Sequence, residues 1–160
     1  MTEPLPLGRC GSTDTNTVVE GDSIDFERER KENVMGYRPM TLSDLAARLT
    51  ANTGDKIRWK LVWEFLEEYR WEPPEVQPSL LQAEPESVGD ERWDALLAAL
   101  AEHLAAKHDL APPAWTASRV LRRPWFPAEL ASQRTDALVW APAAFRKHGV
   151  YLSSKDLEAA

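Results

Sequence analysis

From Thr41 onward the apolar positions recur with the period of an α-helix. Leu42, Leu45, Ala46 and Leu49 fall at i, i+3, i+4 and i+7, one face of a 3.6-residue repeat. Thr41 suits an N-cap, and Asp44 stands in the first turn, where the helix dipole favours a carboxylate. Asn52-Thr53-Gly54-Asp55 breaks the run and supplies the next cap. A second helix is predicted over 56–71. Its apolar residues (Ile57, Trp59, Leu61, Val62, Trp63, Phe65, Leu66, Tyr69, Trp71) wrap most of the cylinder and leave Lys60, Glu64, Glu67 and Glu68 as a narrow wet stripe. That pattern predicts burial on more than one side, making this the central helix. Pro73-Pro74 stops it. Residues 75–85 hold a short helix at most, with Ser79 and Gln82 spaced as a capping box.

The clearest helix spans 91–108. Trp93, Leu96, Leu97, Leu100 and Leu104 form its stripe, and Glu91, Arg92, Glu102 and Lys107 lie opposite. Asp109 and Pro112-Pro113 end it. Shorter pieces follow: a helix over Thr116–Arg123 closed by Pro124, then Trp125-Phe126 held extended between Pro124 and Pro127. Pro127–Trp140 reads as a helix with proline at its first position. Ala143–His148 makes a further turn or two, with Gly149 at the C′ position. Val150-Tyr151-Leu152 is a short extended strip and Ser154–Glu158 a closing turn. The fold class is therefore all-α, a single helical domain of about six helices over 40–160. Residues 1–34 read as a disordered tail: Gly11–Thr17 is polar, and Glu27–Glu32 alternates sign without an apolar face. Translation is expected to start at Met1, or at Met35 or Met40, which stand just before the first periodic segment.

Composition sharpens this picture. The chain has 160 residues and a net charge of −7, with one cysteine, Cys10. A single cysteine excludes an internal disulfide framework and a cysteine-rich zinc site. No run approaches the ~18 apolar residues of a membrane span, and no secretory signal is visible. A cytoplasmic protein without membrane contact is expected. The charge is uneven: residues 1–40 carry −3, 41–110 carry −7 and 111–160 carry +3. All seven tryptophans lie between 59 and 140.

Chemical motifs are sparse. There is no Gly-rich phosphate loop, G-x-S-x-G elbow, H-E-x-x-H or C-x-x-C. His103 and His108 are five residues apart, about 140° around a helix, so their rings do not face one metal. His148 falls in a helix's last turn, where the dipole favours a cation. Glu64 and Glu68 form a carboxylate pair, but on the solvated stripe. The C-terminal third holds Arg119, Arg122, Arg123, Arg134, Arg146 and Lys147 on at least three elements. That set reads first as ordinary surface, then as a docking face for an acidic partner, then as a weak nucleic-acid footprint. Trp59, Trp63 and Trp93 lie on faces that must pack. Trp125 and Phe126, held by flanking prolines, either fill the core or anchor a partner. The candidate partner-binding set is Trp125, Phe126, Arg122, Arg123, Arg146 and Lys147, with no catalytic, cofactor or metal residue.

Three ordered stretches carry a resemblance. Val88-Gly89-Asp90-Glu91-Arg92-Trp93-Asp94-Ala95-Leu96-Leu97-Ala98-Ala99-Leu100-Ala101-Glu102-His103-Leu104-Ala105 is followed by Pro113-Ala114-Trp115 and Trp125-Phe126. The chain then closes on Ala141-Pro142-Ala143-Ala144-Phe145-Arg146-Lys147-His148-Gly149-Val150-Tyr151-Leu152, running to Glu158. This series resembles the C-terminal region of actinobacterial Xre-type helix-turn-helix antitoxin or regulator proteins found beside nucleotidyltransferase-type toxins. The resemblance implies an α-helical, non-catalytic module that binds and neutralises a partner toxin, the product of the adjacent gene. The chain departs from the pattern in having no complete five-helix Xre module before residue 88. An acidic middle that steers association with a basic groove on the toxin fits this reading. The runner-up is a DNA-binding transcriptional regulator using the basic C-terminal third. An enzyme using Glu64 and Glu68 or the histidines is a third class.

Overall fold

The computed structural model describes residues 36–158. The fold described below is the unit that begins at Pro39. The tail expected over 1–34, with the candidate starts Met1 and Met35, lies outside the described residues. Among the described residues the fold is all-α: seven α-helices and one 3₁₀ helix, with a single isolated bridge between extended segments. None of these helices is long and apolar enough to cross a membrane.

Helix α1 (Leu42–Ala51) buries Leu42, Leu45, Ala46 and Leu49, the face that its periodicity predicts. Its start is a closed capping box. The Asp44 N–H donates to Thr41 Oγ1 at 3.1 Å, and the Thr41 N–H donates to Asp44 Oδ2 at 3.0 Å. Helix α2 (Asp55–Trp71) buries Arg58, Val62, Phe65, Leu66 and Tyr69, a single face. Trp59, Leu61 and Trp63 are half-buried, while Ile57 and Trp71 are exposed. The expected central helix is thus a flanking one, because its second apolar face meets only part of the chain.

After α3 (Ser79–Gln82), the centre is α4 (Glu91–Ala106), with ten buried residues from Trp93 to Ala105. Its run of Ala95, Ala98, Ala99 and Ala101 lets neighbours approach on several sides. Helix α1, the 3₁₀ helix (Ala114–Ser118) and α6 (Ala143–Lys147) pack against it. Asp90 caps α4, accepting the Arg92 N–H at 3.0 Å. In α3 the expected capping box is absent. Pro78 takes the cap position, and the Ser79 hydroxyl donates backwards to Val76 O at 2.7 Å.

Two helices differ from their predicted extents. In place of an α-helix over Thr116–Arg123 the chain makes the 3₁₀ helix, where the Thr116 hydroxyl returns to Pro113 O at 2.8 Å. The following backbone then pairs elsewhere, the Leu121 N–H donating to His148 O at 3.0 Å. Helix α5 spans Ala131–Trp140, starting later than Pro127 because the preceding residues continue an extended path. Helix α7 (Ser154–Glu158) closes the described chain.

The two predicted extended strips meet. Trp125 and Val150 form a parallel bridge, the Trp125 N–H donating to Gly149 O at 2.8 Å and the Tyr151 N–H to Trp125 O at 2.9 Å. Gly149 makes this possible by ending α6 in a Schellman turn. Its φ is +78°, its N–H reaches Arg146 O at 3.0 Å, and the Val150 N–H reaches Phe145 O at 3.0 Å. A Cβ there would stand 3.0 Å from Leu121 Cβ and 3.2 Å from Leu121 O. Gly149→Ala is therefore expected to cost about 2 kcal/mol, since left-handed backbone alone costs ~1–2 kcal/mol. A urea midpoint unchanged from the parent chain would contradict this.

Candidate partner-binding surface

Four tryptophans form one stack. Trp93, fully buried on α4, lies 5.1 Å from Trp59 and 5.5 Å from Trp125 between ring centroids. Trp59 is stacked on Trp63 at 5.6 Å and on Trp125 at 6.1 Å. Two guanidinium groups cover the stack: Arg58 lies 5.5 Å from the Trp93 ring and Arg92 5.4 Å from the Trp125 ring. Arg58 is itself buried and donates from Nε to Asn52 O at 2.6 Å. Both cations converge on Asp90, at 3.8 Å from Arg58 and 2.8 Å from Arg92. The hydrogen bond from Arg92, opposed by burial, holds the Asp90 carboxyl below its usual range.

Trp59 and Trp63 line one wall of an open groove. Pro127, Ala128 and Gln133 form its other side, and Leu152 lies in its lining. The groove holds ≈ 810 Å³ at the Asp55–Leu130 end and ≈ 610 Å³ toward Asp156, both within the ~300–1,000 Å³ usual for ligand sites. Its charged lining is mainly acidic: Asp55, Glu64, Glu67, Glu129 and Asp156 against Lys56 and Lys60.

Beside this groove stands α5, of whose ten residues only Ala137 is buried. Leu138, Val139 and Trp140 are each more than half exposed, and Leu130 before them is 61% exposed. Lys155 lies 5.5 Å from the Trp140 ring. Ala137-Leu138-Val139-Trp140 carries its own warning in the sequence. Consecutive residues step ~100° around a helix, so four in a row cannot share one buried face. The signal for Trp59 and Trp63 is similar, since both flank the polar stripe of α2.

No family model, curated protein or solved structure matches this chain.

The six residues singled out from the sequence have different environments. Trp125 is half-buried in the tryptophan stack, and Phe126 stacks on Tyr151 at 4.9 Å. Arg122 and Arg123 are exposed, without a partner among the described residues, in a cleft shared with Asp90, Glu91 and Arg92. Arg146 donates to Ala141 O at 2.8 Å and Val139 O at 3.3 Å, satisfying carbonyls at the end of α5. Lys147 pairs with Glu102 at 2.7 Å.

His148 is the C-cap of α6, in keeping with its expected place at the helix end, and is fully buried. Its Nδ1 lies 2.7 Å from Arg119 O and its Nε2 2.7 Å from Glu102 Oε2. Both partners are acceptors, so filling both contacts takes a proton on each ring nitrogen. Burial pushes the Glu102 carboxyl up, but hydrogen bonds from Lys147 and His148 outweigh it and hold the group below its usual value of 4.5.

The other histidines line a smaller cavity of ≈ 170 Å³ with Tyr69. His108 Nε2 is 3.1 Å from the Tyr69 hydroxyl, whose pKa burial pushes up to about 12. His103 meets Phe145 edge-on at 5.6 Å, and burial lowers its pKa below the usual 6.5, with a further push from Lys107. Glu64 and Glu68 do not act as a pair. Glu64 lies 3.6 Å from Lys60, whereas Glu68 accepts the Met40 N–H at 2.8 Å ahead of α1.

Proposed function

We propose that this chain is a non-catalytic protein-binding module of the antitoxin type, working in the cytoplasm, whose partner is the product of the adjacent gene. The supporting observation is α5, a helix held by one buried alanine while Leu138, Val139 and Trp140 face outward. Contiguous exposed apolar surface marks interaction sites on soluble proteins, and aromatic residues dominate binding energy at such sites. The acidic middle of the chain favours association with a basic surface by electrostatic steering.

The experiment is co-expression with the adjacent gene. Co-purification and rescue of growth from a toxic product are expected. Trp140→Asp should weaken the complex at least tenfold, because interface aromatics are commonly worth ~2 kcal/mol or more. Loss of neither binding nor rescue in that variant would remove α5 from the interface, and no complex at all would end the reading.

A DNA-binding role stands second. It would draw on the basic C-terminal third, where Arg119, Arg134, Arg146, Lys147 and Lys155 already have partners within the fold. Arg122 and Arg123 remain as its best phosphate contacts. It predicts retardation of the chain's own promoter at low salt, lost steeply as salt rises.

A further inference from the structure

We infer that the groove between α2 and residues 125–133 receives an arginine- or lysine-bearing segment of the partner protein. The inference deepens the partner-binding reading and rests on it for the identity of the protein supplying the segment. Two independent properties of the groove converge on this ligand chemistry.

The first is the aromatic wall. Trp59 and Trp63 stand one helical turn apart on α2, and Trp125 continues the row from the opposite segment. Trp59 is stacked between the other two rings and Arg92 covers Trp125, so the flat face that the row leaves for a ligand is that of Trp63, at its end. The face of an indole attracts cations, and guanidinium most often. The stack already uses this chemistry on its inner side, where Arg58 and Arg92 cover Trp93 and Trp125.

The second is charge. Five carboxylates line the groove against two ammonium groups. Glu67, Glu129 and Asp156 have no ion-pair partner among the described residues. The Lys60–Glu64 contact at 3.6 Å joins side chains that are 76% and 43% exposed, so a competing cation loses little by displacing it. Acidic peptides and nucleic-acid phosphates meet like charge here. A basic segment finds both its carboxylate partners and the Trp63 indole.

The test uses the full chain, labelled at its tryptophan indole nitrogens, titrated with a short peptide of alternating arginine and alanine. A version with glutamate in place of arginine is the control. The indole resonances of Trp59 and Trp63 should shift with the arginine peptide at low ionic strength and stay in place with the glutamate peptide. Trp63→Ala should weaken binding at least threefold, on the scale of ~0.5–1 kcal/mol for an exposed cation–ring contact. Glu64→Gln with Glu67→Gln should weaken it comparably while the urea midpoint stays near that of the parent chain. Equal response to both peptides, silent indoles, or affinity unchanged in both variants would overturn the inference. Capture of the adjacent gene's product by a chain silent toward the arginine peptide sinks this groove and leaves the partner reading standing. A responding groove in a chain that captures nothing does the reverse.

Discussion

Trp93→Ala is expected to destabilise the domain by about 3–5 kcal/mol, the range for removing a large aromatic from a core. For a domain of ordinary stability, ~5–15 kcal/mol, that approaches unfolding. The indole is fully buried and touches two other tryptophans and Arg58. Its removal opens a cavity and uncovers a buried guanidinium, so little relaxation is available. Trp93→Phe separates volume from polarity. Trp93 Nε1 is buried without a hydrogen-bond partner among the described residues, and a buried unmet donor costs ~1–3 kcal/mol. Phenylalanine sheds that cost while keeping much of the area. Its loss in a urea titration should stay below about 2 kcal/mol. A phenylalanine variant as unstable as the alanine one would mean that the indole nitrogen is satisfied in solution.

His148→Ala should cost about 2–3 kcal/mol, because a buried acceptor left without its donor costs ~1–3 kcal/mol and the lost ring leaves a cavity. Here the Arg119 carbonyl and Glu102 Oε2 lose the imidazole while Lys147 still holds Glu102 Oε1, and the end of α6 is untied from the Arg119 carbonyl. The same network sets a pH dependence. Glu102 titrates lower in the folded chain than its usual 4.5. The unfolded chain thus takes up the proton first as pH falls. The stability owed to Glu102 is complete above the unfolded value and disappears as pH drops through the folded one. Glu102→Gln should therefore be less stable than the parent at neutral pH and should lose less on acidification below about pH 5. Parallel acid limbs for the two chains would show that Glu102 does not titrate differently on folding.

Much of the architecture was legible along the chain because it depends on neighbours in sequence. The α1 stripe, the Thr41 start, the α4 stripe and the glycine at the end of α6 all follow from spacings of four residues or fewer. Both extended strips were legible from prolines and the Val150–Leu152 run. Their pairing was not, since it joins segments on either side of two helices. The same holds for His148, whose partners lie 29 and 46 residues away. Helix α2 misled for another reason. Periodicity reports which residues are apolar, whereas burial depends on how much chain remains to cover them, and Trp59 and Trp63 are covered only in part. Periodicity alone therefore places this groove-lining pair in the core. Arg122, Arg123, Arg146 and Lys147 were legible as cations, but spacing does not show that carbonyls and a carboxylate take up Arg146 and Lys147 while Arg122 and Arg123 stay exposed.

The parallel bridge between Trp125 and Val150 has a consequence for divergence. The chain leaves the core after Phe126, runs out through the mostly exposed α5, and comes back with α6 on α4 before a clasp of backbone hydrogen bonds closes the excursion. Closing a loop costs entropy that grows only slowly with its length, so the clasp tolerates change in what it encloses. Backbone pairing is also largely indifferent to side-chain identity. The outward residues of α5 are free to drift under selection from a partner while the clasp and the α4 core stay as they are. A lineage of such chains can exchange one partner for another without inventing a new fold.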